Sequence, residues 1–441
     1  MGIFRHATPK LEGWKNSANR KPLVIYGMRQ VGKTWLMREF GKNSYKQVAY
    51  FYFDKNERLQ NIFQGDINVA RIIQELSIEA GMTISPDDTL IIFDEVQECP
   101  AAFSALKSFN ETAPEYHIMA AGSFLGVMSL TGTGVPVGQY DSITIHPMTF
   151  LEFLEAIEPK YIDIVKKLNW KSIGIFHDEL ISLLQQYFYV GGMPEAVKKY
   201  AETKSFAEVR NTQNLLLDAY YGDFARHVPK SDIVEVRNIW NSVPLQLGKE
   251  NKRFLYSEMK KGSRGRDYAD ALQWLKDTRL IHIINCVSLP NIPLKAYEEP
   301  DLFKIYMSDI GLLSAQTGLD AKSYLDPENG LFSHYKGMLA EQFVLQELLA
   351  TNDKMPIYYW ANGKSTAEIE FIVQYDGETI PIEVKAGKNF KLKSLDKYRE
   401  TFHPNHFVKT SQKKFSNEKG LAVPLYMIGS LTEIIDQNSE L

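Results

Sequence analysis

The 441-residue sequence is 44% hydrophobic and 24% charged, a balance typical of globular proteins with sizeable cores. Since domains contain about 100–200 residues, this length predicts about three domains. The formal net charge of −4 argues against a protein coated with nucleic acid, although it allows a local basic surface. Two cysteines are too few for a disulfide framework, and no apolar run resembles a signal peptide or a membrane span. We therefore expect a cytoplasmic protein that makes no membrane contact.

The clearest motif is KPLVIYGMRQVGKTWLMREF, residues 21–40. It predicts a short strand, a G-x-x-x-x-G-K-[ST] loop and a helix, which is the arrangement of a phosphate-binding loop. In such a loop, backbone N–H groups and the helix N-terminus surround a triphosphate, the lysine contacts the outer phosphates and the threonine binds Mg²⁺. The strand and helix on either side disfavour a chance Gly/Lys turn. The predicted nucleotide-binding residues of this loop are Gly27, Gln30, Val31, Gly32, Lys33, Thr34 and Trp35.

An acidic motif follows the apolar run TLIIF, where Asp94 and Glu95 come directly after a predicted buried strand. A strand of this kind in a parallel sheet delivers its terminal carboxylates to the phosphate site. We predict that Asp94 and Thr34 hold Mg²⁺. Glu95 is predicted to polarise the attacking water, and with Lys33 it is a candidate catalytic residue.

Carboxylates also recur in the C-terminal third of the chain. The residue pattern of this region predicts a helix at 336–350 and strands at 366–373 and 379–385. Because side chains alternate along a strand, Glu383 and Lys385 of the second strand point to the same face. Glu370 of the first strand and Glu341 of the helix can approach them there. Three carboxylates and a lysine would form a divalent-metal site of the nuclease type. The candidate residues are Glu341, Glu370, Glu383 and Lys385.

The runs GMRQVGKT, IIFDEVQECP, AAGS, HPMTFLEFLEA and YVGGMPEA occur in this order across nearly the whole chain. They resemble a group of bacterial and archaeal AAA+-like ATPases, in or near the signal-transducing NTPases with numerous domains, that carry a C-terminal PD-(D/E)xK endonuclease-like domain. The resemblance implies ATP and Mg²⁺ as cofactors, Ser123 as a sensor of the γ-phosphate, and contact of Gly192 and Pro194 with the adenine. For Ser123, a helix-capping role remains the alternative.

The sequence departs from this family at two places. Many relatives have Gly-Arg or Gly-Lys where this chain has Gly138-Gln139, which implies slow hydrolysis if that cation contacts phosphate. Glu370 occupies the usual aspartate position of the nuclease motif and is one methylene longer, which puts the metal geometry in doubt.

The predicted fold is α/β: a P-loop NTPase parallel-sheet core, a helical lid, a winged helix and a C-terminal restriction-endonuclease-like α/β domain. Helical patterns at 232–246, 257–261 and 266–277 before a strand at 280–284 suggest the winged helix, which the relatives support. Two interpretations of the basic cluster in this region stay open, contact with DNA phosphates and a solvated turn. The cluster contains Lys260, Lys261, Arg264 and Arg266. The predicted domains are residues 1–147, 148–230, 231–300 and 301–441.

The function predicted from these motifs is an ATP-binding, Mg²⁺-dependent ATP-hydrolysing switch. Its nucleotide state would position the winged-helix and nuclease-like domains, with DNA as a candidate partner. Two alternatives stay open: a metal-dependent DNA nuclease regulated by ATP, and an ATP-bound scaffold with little turnover. A protein partner, homo-oligomer formation and the source of an arginine finger are also left open.

Overall fold

The computed structural model divides the chain into two compact units. The core unit comprises Gly2–His146 and Asp277–Arg279, and the large unit comprises Pro147–Lys276 and Leu280–Leu441. The predicted boundary after residue 147 therefore lies within one residue of the border between the units. The structure describes residues 5–86, 88–123, 138–249, 252–325, 333–352, 354–362, 367–387, 393–418 and 420–439.

The core unit is built on a five-stranded parallel sheet with the strand order β2-β3-β4-β1-β5. Its central strands β3 and β4 are buried along their whole length, as expected for apolar runs in a parallel sheet. The strands are β1 (Leu23–Tyr26), β2 (Gln47–Tyr52), β3 (Thr89–Asp94), β4 (His117–Ala121) and β5 (Asp141–Thr144). The helices are α1 (Ala7–Lys15), α2 (Lys33–Ser44), α3 (Glu57–Ile62), α4 (Val69–Ala80) and α5 (Pro100–Thr112).

The strand order decides which loops of the core unit are neighbours. Because β4 lies between β1 and β3, the loops that leave the carboxyl ends of these three strands meet at one edge of the sheet. Below that edge, the rings of Phe53, Phe63 and Phe93 pack with centroids 5.6 to 5.7 Å apart. This buried cluster fixes the end of β3 from which the acidic motif projects. The last strand of the core occupies 141–144, three residues before its predicted place at 144–147.

The large unit begins with helices and ends in a mixed seven-stranded sheet, with the order β12-β11-β10-β9-β8-β6-β7. The helices before the sheet are α6 (Phe150–Ile157), α7 (Ile162–Lys166), α8 (Trp170–Ile175), α9 (His177–Val190), α10 (Pro194–Thr203), α11 (Phe206–His227), α12 (Ile233–Leu247) and α13 (Ala269–Asp277). The later helices are α14 (Ile310–Gln316), α15 (Ala321–Leu325), α16 (Ser333–Thr351), α17 (Lys393–Phe402) and α18 (Leu431–Ser439). The strands are β6 (Ile281–Val287), β7 (Glu298–Met307), β8 (Ile357–Ala361), β9 (Glu368–Tyr375), β10 (Glu378–Val384), β11 (Val408–Ser411) and β12 (Leu421–Pro424).

This sheet corrects the predicted domain boundary between residues 300 and 301. The boundary falls inside β7, and β7 pairs antiparallel with β6 from the predicted winged-helix domain. β6 also pairs parallel with β8, so one sheet joins both predicted domains. Domain boundaries normally cross few contacts, and this one would cut a strand.

The region predicted as a winged helix contains two of its three expected helices, α12 and α13. At the place of the middle helix, 257–261, the structure has only a 3₁₀ turn at Tyr256–Glu258. The winged helix thus remains a prediction. Among the residues described, no helix is long and apolar enough to cross a bilayer.

Candidate functional site

The phosphate loop joins β1 to α2, and its shape depends on packing behind it. A Cβ atom at Gly27 would lie 2.5 Å from the carbonyl oxygen of Ile145, so only glycine fits at the start of the loop. At the other end, Gly32 precedes α2 with φ +93°, a left-handed conformation that glycine adopts without strain. The Arg5 guanidinium donates hydrogen bonds to the carbonyls of Val31 (2.9 Å) and His146 (2.6 Å), which brace the loop from beneath.

Lys33 begins helix α2 and turns its side chain back into the loop. Its ammonium donates hydrogen bonds to the carbonyls of Gly27 (2.8 Å) and Met28 (3.0 Å), and the residue is 6% exposed. Burial lowers the pKa of Lys33 to about 8, although the nearby carboxylates of Glu95 and Asp94 favour its charged form. The motif lysine is therefore a desolvated cation beside two acids, as contact with phosphate oxygens requires.

Thr34 and Asp94 come together as the motifs predict. The Thr34 hydroxyl donates to Oδ2 of Asp94 at 2.7 Å, and the Tyr50 hydroxyl donates to the same oxygen at 2.8 Å. Burial raises the pKa of Asp94, and both hydroxyl groups oppose that rise. A threonine hydroxyl beside a carboxylate is a pair of hard oxygen donors, which fits Mg²⁺ that keeps several waters and phosphate oxygens as its other ligands. Tyr50 is a residue of this site that the sequence motifs did not reveal.

Glu95 and Ser123 also lie together, at the ends of β3 and β4. The Ser123 hydroxyl donates to Oε1 of Glu95 at 3.2 Å, its backbone N–H donates to Oε2 at 3.4 Å, and the Gln97 amide donates to Oε2 at 2.5 Å. Glu95 has φ +51°, an uncommon conformation for a residue with a side chain. The carboxylate is thus held in one orientation at the edge of the sheet where the phosphate loop begins. The helix that Ser123 would cap lies outside the described residues.

The remaining predicted residues of the loop have different surroundings. Val31 is buried, whereas Gln30 is exposed with φ +64°. Trp35 is 39% exposed and lines an open groove of about 800 Å³ between α2 and β2. Gln139, at the position where relatives carry a cation, accepts a hydrogen bond from the Asn110 amide at 2.7 Å. Its side chain is therefore engaged with α5.

Gly192 and Pro194, predicted to contact adenine, lie in the large unit between α9 and α10. The Gly192 N–H donates to Asp309 at 2.6 Å, and its carbonyl accepts a hydrogen bond from the Met148 N–H at 2.6 Å. A Cβ at Gly192 would meet the Met148 carbonyl oxygen at 2.2 Å. The glycine is therefore required by packing within the large unit, and the adenine contact stays a prediction.

The C-terminal candidate residues lie in a network of ion pairs. Lys385 contacts Glu370 at 3.2 Å and Glu383 at 2.6 Å. Glu341 contacts Lys252, and the completely buried Lys304 contacts both Glu341 and Glu368. Four glutamates and three lysines thus share one interior region, which we call the buried ion network: Lys252, Lys304, Glu341, Glu368, Glu370, Glu383 and Lys385.

Two glutamates of this network have shifted pKa values. Burial and the neighbouring Glu370 raise the pKa of Glu383 to about 8, so that Glu383 carries a proton at neutral pH. Burial opposes ionisation of Glu341, but Lys252 and Lys304 outweigh it and lower the pKa of that carboxyl. Three lysines thus lie among four glutamates in this network. In the described part of the chain, no three His, Cys, Asp or Glu side chains are placed to hold a metal ion. The divalent-metal site predicted at Glu341, Glu370, Glu383 and Lys385 stays a prediction.

The basic residues predicted to contact DNA are solvent-facing. Lys260, Lys261, Arg264 and Arg266 are all exposed. The guanidinium of Arg266 lies 3.6 Å from Asp267, and the Arg264 N–H donates to the same aspartate at 3.0 Å. Four more lysines in the sequence after β10 could also follow a nucleic-acid backbone; Lys393 and Lys397 lie on α17, and Lys388 and Lys391 lie outside the described residues.

Comparisons with known proteins agree with this geometry in the core unit. Residues 19–154 match the family described as the AAA domain. Two domains of unknown function match the rest, DUF8612 at residues 181–323 and DUF4143 at residues 336–428. Residues 19–154 are thus similar to an AAA domain, and the parallel sheet of the core unit matches a P-loop NTPase fold.

Individual relatives are distant. The uncharacterized protein Rv2008c of Mycobacterium tuberculosis is 23% identical over 377 residues, which cover 84% of this chain and 72% of that protein. The uncharacterized protein MJ1544 of Methanocaldococcus jannaschii is 26% identical over 172 residues, 39% of this chain and 35% of that protein. Among solved structures, the Walker-type ATPase PABY2304 of Pyrococcus abyssi is 15% identical with a TM-score of 0.44, covering 72% of this chain and 96% of that one.

Proposed function

We propose that this protein binds MgATP at the phosphate loop of its core unit and hydrolyses it as a nucleotide-dependent switch. The observation that supports this most directly is the convergence of three elements at one edge of the parallel sheet. Lys33 belongs to the loop, Thr34 contacts Asp94, and Ser123 contacts Glu95. The match of this region to the AAA domain also supports ATP binding.

Each group has a distinct role in the proposed reaction. Lys33 and the N-terminus of α2 bind and orient the phosphates, while Thr34 and Asp94 would hold Mg²⁺, which supplies positive charge at the phosphoryl oxygens. Glu95 is proposed to orient the attacking water and accept its proton. Ser123 keeps the Glu95 carboxylate in place through its hydroxyl and N–H groups.

Two substitutions separate binding from turnover. Lys33→Ala should abolish nucleotide binding, because it removes the buried cation of the loop. Glu95→Gln should leave nucleotide affinity near wild type and lower phosphate release by about 10²-fold or more. The measurements are the affinity for a fluorescent ATP analogue and steady-state phosphate release.

Matched controls lie on the same elements. Lys42→Ala changes an exposed lysine at the other end of α2, and Glu98→Gln changes an exposed acid three residues after Glu95. Both controls should behave as wild type. Equal phosphate release by wild type and Glu95→Gln would contradict hydrolysis and support an ATP-bound scaffold. Unchanged binding in Lys33→Ala would contradict the nucleotide site itself.

A further inference from the structure

The segment Asp277–Arg279 contains a charged residue, Arg279, that lies beside the phosphate loop. It follows α13 and precedes β6, both from the large unit, yet these three residues group with the core unit. Thr278 is buried, and Arg279 adopts φ +58°. A left-handed conformation is uncommon for arginine and persists where the surrounding structure imposes it. The backbone thus holds Arg279 in a defined place in the core unit.

That place is beside the phosphate loop. The Arg279 guanidinium lies over the ring of Tyr26, 5.5 Å from its centroid, and Tyr26 is the last residue of β1 before Gly27. The Tyr26 hydroxyl is 3.0 Å from the hydroxyl of Tyr140, which restrains the ring that supports the guanidinium. A cation over an aromatic face gains about 0.5–1 kcal/mol and keeps its N–H donors directed to the edges of the plane.

The charges around this place also favour an anion. Arg279 is close enough to Lys33 to lower the pKa of that lysine, as Arg29 does. Three cations, Arg29, Lys33 and Arg279, thus share one end of the sheet with the carboxylates of Asp94 and Glu95. Cations gathered in this way attract a polyphosphate.

We propose that Arg279 contacts the terminal phosphate of ATP and supplies, from the same chain, the positive charge that balances the transition state of hydrolysis. This inference deepens the proposed function and rests on it. Arg279 would add a second arginine to Arg29 of the phosphate loop, at a site where the Gln139 position provides no cation. Because the guanidinium is planar and carries several donors, it can bind two phosphate oxygens at once, which lysine cannot reproduce.

The test uses the full chain with Arg279→Ala and Arg279→Lys. We expect Arg279→Ala to weaken binding of a non-hydrolysable ATP analogue about tenfold, the loss of one charge-assisted contact, while ADP binding changes less than about twofold. Phosphate release should fall on the order of 10³-fold, and Arg279→Lys should recover part of it. Unfolding curves show whether each variant is folded. If Arg279→Ala is not folded, Arg279→Lys and Arg279→Gln are compared with wild type instead.

Arg20→Ala is the matched control. Arg20 is another partly buried arginine of the core unit over an aromatic ring, 5.9 Å from the Trp14 centroid, but it precedes β1 and lies at the opposite edge of the sheet. The Arg20→Ala substitution should leave nucleotide binding and turnover unchanged. Equal behaviour of Arg279→Ala and Arg20→Ala would overturn the proposal.

Mixing two inactive variants tests whether the arginine acts in its own chain. Lys33→Ala keeps Arg279 but lacks the phosphate-binding lysine, whereas Arg279→Ala keeps the loop. If Arg279 serves its own chain, a mixture of the two stays inactive, and recovered phosphate release would contradict the proposal. Loss of ATP binding in Lys33→Ala with no effect in Arg279→Ala would leave the proposed function standing and refute this inference alone. A wild-type chain that binds no ATP would refute both.

Discussion

At the scale of single residues, Asp94 shows what motif spacing reveals and what it leaves out. The sequence predicts Asp94 and Thr34 because both belong to motifs with fixed spacing. It gives no sign of Tyr50, because that contact depends on the pairing of β2 with β3. In the register of these strands Tyr52 lies opposite Asp94, yet Tyr50 makes the hydrogen bond. The parity and twist of a neighbouring strand decide such contacts, and no local pattern encodes them.

Tyr50→Phe tests the role of this hydroxyl. Its loss removes one of three hydrogen bonds that lower the pKa of Asp94, so the carboxylate should bind Mg²⁺ less well. A hydrogen bond to a charged group contributes about 1.5–3 kcal/mol, so nucleotide binding should need about tenfold more Mg²⁺. The measurement is a Mg²⁺ titration of ATP binding.

Tyr52→Phe is the control on the same strand. Its hydroxyl lies 3.5 Å from Asp54, and the residue is 45% exposed. The half-saturating Mg²⁺ concentration should stay at the wild-type value. If Tyr50→Phe and Tyr52→Phe give the same titration, the hydroxyl of Tyr50 plays no part in the metal site.

At the scale of elements, the two sheets differ in how far the sequence predicts them. The strands of the core sheet can be predicted because each is a short apolar run before a polar loop, and this pattern involves only neighbouring residues. The second sheet depends on pairing between distant segments: Cys286 of β6 pairs with Tyr359 of β8, across the predicted domain boundary. The sequence motif indicates the acidic residues of the C-terminal site, but it gives no sign of Lys252 and Lys304, the lysines from other segments that contact Glu341. These lysines occupy the oxygens of Glu341 that a metal ion would need.

The buried ion network should contribute to the free energy of unfolding. Lys304→Met keeps a side chain of similar length but removes a charge that is completely buried against Glu341 and Glu368. Breaking a buried pair from one side should lower the free energy of unfolding by about 3–5 kcal/mol, measured by urea denaturation. Because lysines occupy the carboxylates of this network, we also expect that the wild-type protein does not nick plasmid DNA in the presence of Mn²⁺.

Lys295→Met provides the comparison, because Lys295 forms a surface pair with Glu298 at 2.6 Å and its side chain is 77% exposed. Removing that pair should change the free energy of unfolding by less than about 1 kcal/mol. Equal losses in the two variants would show that the buried network contributes no more than a surface pair. Nicking that is lost in Glu383→Ala and Lys385→Ala would restore the nuclease interpretation.

At the scale of the whole molecule, stability should depend on pH through acids buried in the large unit. Burial raises the pKa of Glu347 to about 8, and the nearby Glu152 adds to that rise. Its oxygen Oε1 accepts a hydrogen bond from the Phe150 N–H at 2.7 Å, which opposes the shift only in part. Burial also raises the pKa of Asp309 to about 6. At a pH between the ordinary and the raised pKa of each acid, the folded chain retains a proton that the unfolded chain releases.

The sign of the effect follows from proton binding. Between the ordinary pKa of 4.5 and about 8, the folded state holds more protons at Glu347 than the unfolded state, so the free energy of unfolding falls as pH rises. Glu347→Gln cannot ionise and should escape this loss. Its stability relative to wild type should increase by about 4 kcal/mol between pH 5 and pH 8, in urea denaturation at each pH.

Glu202→Gln, an exposed acid on α10, serves as the control and should follow the wild-type pH curve. A Glu347→Gln curve parallel to that of wild type would show that Glu347 is ionised in the folded protein throughout this range.

The position of Lys304 also has a consequence for the order in which the chain is made. Both of its carboxylate partners, Glu341 and Glu368, come later in the sequence, the second by 64 residues, and Lys252 precedes its partner Glu341 by 89 residues. During synthesis, β6 and β7 therefore leave the ribosome before the acids that neutralise their buried lysine exist. An unpaired ammonium is costly to bury, so this hairpin has to remain solvated until α16 and β9 follow. Folding of the large unit is thereby delayed until its C-terminal sheet has been translated.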